Sequence, residues 1–130
     1  MATIFSKIVK GEIPSYKIAE SEHCFAFLDI FPLKEGHTLV IPKMEIDNVF
    51  DLPDEVYQEL WALSKKISAA IRKAYPCIKV GVAVIGLEVP HAHIHLLPIN
   101  SMDDLNFTKP KLKLSPETLE ASRQKIASFL

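Results

Sequence analysis

No stretch of this chain approaches the roughly 18 consecutive apolar residues that a membrane-spanning helix requires, so no membrane partner is expected. Charge of one sign is also lacking. The 15 Lys and Arg residues nearly balance the 16 Asp and Glu, leaving a formal net charge of −1. Such a chain carries no basic field of the kind that binds nucleic acid without regard to sequence. Cysteine is scarce: Cys24 and Cys77 stand alone, with no CxxC spacing. That excludes a disulfide framework, fits a reducing, cytoplasmic setting, and makes both thiols core fillers. The first residues, Met-Ala-Thr-Ile-Phe-Ser-Lys, show no basic region followed by an apolar run, so no signal peptide is expected. Internal repeats and low-complexity linkers are missing as well. What is present is ordinary for a globular protein: 130 residues, 48% hydrophobic and 24% charged. This length predicts one domain over residues 1–130, long enough to bury a core unaided.

One stretch is not ordinary. Of 5 histidines in 130 residues, three fall in strict alternation between two prolines, in Pro90-His-Ala-His-Ile-His-Leu-Leu-Pro98. Alternation at period two is a strand pattern, and successive strand side chains point to opposite faces. His91, His93 and His95 are therefore expected on one face, with Ala92, Ile94 and Leu96 on the other. A rise of about 3.3 Å per residue would set neighbouring imidazoles about 6.5–7 Å apart.

Around that run the chain reads as alternating short strands and helices. Thr3 is placed to cap a short helix over residues 4–9, closed by Gly11. Strands are expected at 16–19 and 23–30. In the second, Phe25, Phe27 and Asp29 share a face, which puts a carboxylate at the rim of an apolar pocket. Pro32 and Gly36 mark a loop before a strand at 37–41. A long helix is expected at about 53–75, its apolar stripe running Val56, Leu60, Leu63, Ile67, Ala70, Ile71 and Ala74. Tyr57 and Trp61 flank that stripe. Residues 78–85 read as a strand buried on both sides. Ser115-Pro116-Glu117 opens a C-terminal helix, after a polar stretch in which Lys109, Lys111 and Lys113 look merely solvated. The expected class is α+β: about five antiparallel strands with one long helix packed on them, plus a short N-terminal and a C-terminal helix.

A row of imidazoles supports two chemistries. Neutral histidine binds zinc, but three at alternate strand positions span about 13 Å, far beyond Zn–N bonds of about 2 Å. A metal-dependent hydrolase would need a further ligand from His37, Asp29 or His23, and no metal or cofactor is assigned. The other chemistry is nucleophilic attack on phosphorus by an unprotonated imidazole nitrogen. The second ring nitrogen then fixes the tautomer by donating a hydrogen bond, and flanking groups stabilise the phosphate charge. His93, with a histidine on either side, is the natural nucleophile.

The His-Ala-His-Ile-His-Leu-Leu run is similar to the pattern of the histidine triad family. Three further stretches match in order: Ile4-Phe-Ser-Lys-Ile-Val-Lys-Gly-Glu-Ile-Pro14, Ala26-Phe-Leu-Asp-Ile30 with Pro32, and Gly36-His-Thr-Leu-Val-Ile-Pro-Lys43. The resemblance covers about residues 3–98, leaving 99–130 as a C-terminal extension. It implies a HIT-like fold and a hydrolase or transferase acting at the α-phosphate of a nucleotide, adenosine-containing by family habit. His93 would form a covalent nucleotidyl intermediate. His91 and His95 would support it and hold the α-phosphate, and His37 would complete the cluster. Asp29 would accept the ribose hydroxyls, and Phe5, Ile8, Phe27 and Leu28 would line the base pocket. A homodimer is implied too, with Tyr57 and Trp61 at its interface. Two departures stand out. The stretch Gly81-Val-Ala-Val-Ile-Gly-Leu-Glu-Val89 lacks the usual amide side chain, and Glu88 stands where a hydroxyl often does. Glu88 is therefore a candidate proton donor or leaving-group contact. A slow or inactive nucleotide-binding regulatory module is the alternative.

Overall fold

The computed structural model describes residues 2–130. Three helices, α1 (Ile4–Val9), α2 (Asp54–Ala74) and α3 (Pro116–Ala127), accompany five strands. The strands are β1 (Lys17–Glu20), β2 (Cys24–Leu28), β3 (Thr38–Pro42), β4 (Lys79–Ala83) and β5 (Ile94–Ile99). They form one antiparallel sheet in the order β1-β2-β3-β5-β4. After α2 the chain re-enters at the far edge as β4, and β5 then returns between β4 and β3. The α+β class, the strand number and the helix set match the expectation.

Local chemistry explains the element ends. The Thr3 hydroxyl accepts the Ser6 N–H (3.1 Å) at the start of α1, and Gly11 follows that helix with φ +79°. In α2, Asp54 and Glu55 occupy the first turn and Arg72 and Lys73 the last, each sign opposing the helix dipole. At α3, Ser115 accepts the Thr118 N–H (3.1 Å) and Pro116 takes the first turn, where its missing N–H costs nothing. Glu59 of α2 ties down the β1–β2 turn by accepting the His23 N–H (2.7 Å).

The alternation of β2, β3 and β5 divides the interior in two. Cys24, Ala26, Leu28, Val40, Ile94 and Leu96 pack with Leu60, Ile67 and Ile71 of α2 and with Leu119 and Ile126 of α3. Burying each large side chain in that layer contributes about 1.5–3 kcal/mol. The opposite face carries Phe25, Phe27, Leu39 and Ile41, covered by Phe5 of α1. Only one short helix lies on this face, so it retains a hollow.

Boundaries shift by a residue or two, and two readings change. Residues 78–85 are not buried on both sides. β4 is an edge strand, and Val82, Val84 and Ile85 are exposed, because the sheet ends there. The second change concerns the histidine run. β5 begins only at Ile94, so His91 and His93 lie in the approach to the strand. Cys24 and Cys77 are free thiols, with Cys24 buried as expected. Among the described residues no helix is long and apolar enough to cross a membrane.

Candidate active site

The hollow on the α1 face is a cleft of about 730 Å³, within the range of small-molecule sites. Its walls include Phe5, Ile8, Phe27, Leu39, Asp29, His37, His93, His95 and Glu88. Strand register assembles one wall, since Phe27 pairs with Leu39 and Leu39 with His95 across three strands. Asp29 continues the Phe25–Phe27 face one step beyond β2, and its backbone N–H bonds the His37 carbonyl (3.0 Å), joining the two residues at the mouth. Leu28 borders the cleft and also belongs to the core on the α2 side.

Each imidazole is held in one tautomer by a group with a single possible role. The Leu33 N–H donates to His37 Nδ1 (3.1 Å), so neutral His37 carries its proton on Nε2. That proton is donated to His95 Nδ1 (2.9 Å), which leaves the His95 proton on its own Nε2. His93 Nδ1–H donates to the His91 carbonyl (2.7 Å), leaving Nε2 as the unprotonated nitrogen. His91 Nε2–H donates to the Pro42 carbonyl (2.8 Å), so its Nδ1 accepts from the Thr3 hydroxyl (2.8 Å). Burial is the main cause holding all four imidazoles below their usual range, His37 at about 3 and His95 at about 4. They are neutral at pH 7. Burial also raises the Asp29 carboxyl, while the Phe31 N–H on Oδ1 (2.9 Å) opposes that.

The rings do not stand in an even row. His93 and His95 approach to 4.9 Å between centroids, closer than the strand rise alone would set them, and meet edge to face. His91 is fully buried and absent from the cleft wall, and both its ring nitrogens are occupied. Its ring therefore has no free nitrogen for a phosphate, contrary to that part of the expectation, while its carbonyl accepts from His93, in line with the supporting part. Behind it, Glu45 Oε1 accepts from the Thr3 N–H and the Ser6 hydroxyl, both at 2.7 Å, and so braces the start of α1 against the histidine loop. Phe5 fills the angle between, 5.0 Å from His93 and 5.6 Å from Phe27 between centroids. Glu88 sits on the rim and is exposed.

Asp29, His37 and His95 each offer a ligand atom within 4.8 Å of one another, so a metal deserves a test. The donor set fits poorly. The His37 Nε2–H is already donated to His95 Nδ1 (2.9 Å), and freeing His37 Nε2 for a metal would turn a Nδ1–H against the Leu33 N–H. His23, the other suggested ligand, instead bonds Glu59 (2.9 Å) and does not border the cleft.

Among the wall residues not assigned from sequence are Phe107 and Lys111. Phe107 lies 4.7 Å from His95 between centroids, and Lys111 lies four residues further along the chain. Both belong to the extension after the sheet, where Lys111 read as solvated. The available signal was chemical: neutral imidazoles beside carboxylates require a cation from elsewhere to hold an anion.

Comparison with known proteins agrees with this fold. The HIT domain family matches residues 10–102. The adenosine 5'-monophosphoramidase of Schizosaccharomyces pombe is 38% identical over 130 residues, covering 98% of each chain. That of Saccharomyces cerevisiae is 40% identical over 98 residues, 75% of this chain and 62% of the relative. Among solved structures, a HIT-like protein of Bartonella henselae superposes with a TM-score of 0.85 at 31% identity, covering 98% of this chain and 96% of that one. A zinc-bound histidine triad family protein of Mycobacterium smegmatis gives 0.83 at 30% identity, covering 99% and 93%.

Proposed function

The chain belongs to the HIT family, and from that premise we propose that it cleaves a phosphoramidate or phosphoanhydride bond at the α-phosphate of an adenosine nucleotide. The hydrogen bond from His93 Nδ1–H to the His91 carbonyl carries the reading. It leaves His93 Nε2 as a lone pair on the cleft wall, in the form a nucleophile needs. Nε2 attacks phosphorus, the bond from phosphorus to the leaving group breaks, and a nucleotidyl-histidine forms. The leaving group takes up a proton as it departs. Water then attacks the same phosphorus, loses a proton, and returns His93 with release of the nucleoside monophosphate. His95 Nε2–H donates to a phosphate oxygen, and His37 orients His95 by donating to its Nδ1.

The remaining assignments follow from position. Asp29 receives the ribose hydroxyls at the cleft mouth, and Phe5, Ile8 and Phe27 enclose the base. Glu88 on the rim contacts or protonates the leaving group. The dinucleoside polyphosphates are the second substrate class to try, after the phosphoramidate named for the yeast relatives. The free thiols suit a cytoplasmic setting. A homodimer is supported by the open edge of β4 with exposed Val82 and Val84. On α2, half-buried Trp61, whose Nε1 lacks a partner, meets Tyr57 edge to face and offers a second apolar surface. Sedimentation equilibrium would show a monomer if this is wrong.

The experiment is rapid quenching with adenosine 5'-phosphoramidate, followed by mass analysis of the peptide containing His93. An adenylyl group on His93 is expected, and His93→Ala should abolish turnover. Full hydrolysis by His93→Ala would refute the mechanism. One observation favours a second reading, a slow nucleotide-binding module: the rim at 85–88 offers Ile85, Leu87 and Glu88 but no hydroxyl or amide side chain. Tight AMP binding without turnover of either substrate class would select it.

A further inference from the structure

Any nucleotide phosphate entering this cleft meets an unfavourable charge balance. Asp29 and Glu88 on its wall are carboxylates, and the imidazoles His37, His93 and His95 are neutral at pH 7. Neutral N–H groups can orient a phosphate, but they do not offset its charge in a site partly shielded from water. Among the described residues on the wall, Lys111 is the one fixed cation.

Its position is built rather than incidental. Residues 106–112 form a strap across the cleft. The Leu112 N–H bonds the Pro32 carbonyl (2.8 Å), fastening the strap to the loop that precedes His37. At its other end Asn106 N–H bonds the Asp103 carbonyl (3.2 Å), and the Asn106 side-chain oxygen accepts the Thr108 N–H (3.0 Å). Phe107 packs edge-on against His95 (4.7 Å) and His37 (6.1 Å). Lys111 Nζ donates to the Phe107 carbonyl (2.8 Å) and lies 5.4 Å from the Phe107 ring centroid. The ammonium is thereby held beside the residue that touches both histidines. No carboxylate is bonded to it, unlike Lys34 and Lys109, which are paired with Asp104 and Asp103.

We propose that Lys111, carried over the cleft by the 106–112 strap, is the counter-ion of the bound nucleotide's phosphate and makes the site select nucleotides over nucleosides. The proposal rests on the nucleotide reading above. Its carbonyl partner is a weak one that a phosphate oxygen can replace by a small swing of a flexible side chain.

The test is calorimetric titration of AMP and of adenosine into the full chain and into Lys111→Gln, Lys111→Glu and Lys111→Arg. Losing a charge-assisted contact should weaken AMP about tenfold or more in Lys111→Gln, and further in Lys111→Glu. Adenosine should be weakened far less than AMP, because Lys111 reaches its ribose contact only indirectly, through the charge of Asp29. Lys111→Arg should restore most of the AMP affinity. Unchanged AMP binding in Lys111→Gln, or equal weakening of AMP and adenosine, would overturn the proposal. If the unaltered protein bound neither ligand, the nucleotide reading itself would fail, and this inference with it.

Discussion

Lowering the pH from 7 to 5 should destabilise this fold chiefly through two buried imidazoles. Burial, followed by the neighbouring histidines and Lys111, holds His37 at about 3 and His95 at about 4. In the unfolded chain both titrate near 6.5. The folded values are depressed, so the unfolded chain takes up protons first as the pH falls. Stability is complete above pH 6.5 and is lost progressively toward the folded values. Each pH unit below 6.5 costs about 1.4 kcal/mol per histidine. At pH 5 that is about 2 kcal/mol for each and about 4 kcal/mol for the pair, against a total stability of about 5–15 kcal/mol. His91 and His93, also lowered by burial, add to the same window, whereas His23, Glu20 and Glu59 do not. Glu59 raises His23, so its contribution is fully present below pH 6.5 and is lost only as the pH rises. Glu20 and Glu59, held at about 2 by Lys17 and Ser21 bonds respectively, lose theirs only below about 4.5. The assay is urea unfolding at pH 7, 6 and 5 for the unaltered protein and for His37→Asn/His95→Asn. The variant should start less stable, because it removes a buried hydrogen-bonded pair, but its pH slope should be clearly shallower, the lowered His91 and His93 supplying what remains. Identical slopes in the two proteins, or no loss in the unaltered one, would refute the reasoning.

Three further outcomes are expected. Thr3→Val leaves His91 Nδ1 buried without a donor, costing about 1–3 kcal/mol in urea unfolding; because His91 positions His93, kcat should fall while KM moves little. Gly36→Ala should destabilise by about 1–3 kcal/mol, since φ is +95° and an added Cβ would meet the Tyr75 ring at 2.8 Å; thermal unfolding checks it. The pH–rate profile should be flat near neutrality and fall only below the ordinary imidazole range, because burial lowers His93 and its unprotonated form is the active one. An acid limb centred above pH 7 would contradict that.

Much of this protein was set by local sequence. The stripe from Val56 to Ala74 requires one long amphipathic helix wherever it packs, and seven of its positions are buried as the period predicts. The alternation through Ala92, Ile94 and Leu96 fixes which side of the chain meets the core. Phe25, Phe27 and Asp29 share a face because parity along a strand is a property of the backbone alone. Tertiary structure decided the rest. Hydrophobicity cannot distinguish an edge strand from a central one, so β4 read as buried until the sheet order placed it at the border. Nor does alternation reveal that β5 starts only at Ile94, or that the His91 ring is buried with both nitrogens bonded. Phe107 and Lys111 reach the cleft only because the strap after the sheet folds back onto Pro32. Periodicity reports the two faces of a segment, whereas the neighbours that fill or leave open the space above each face come from distant parts of the chain.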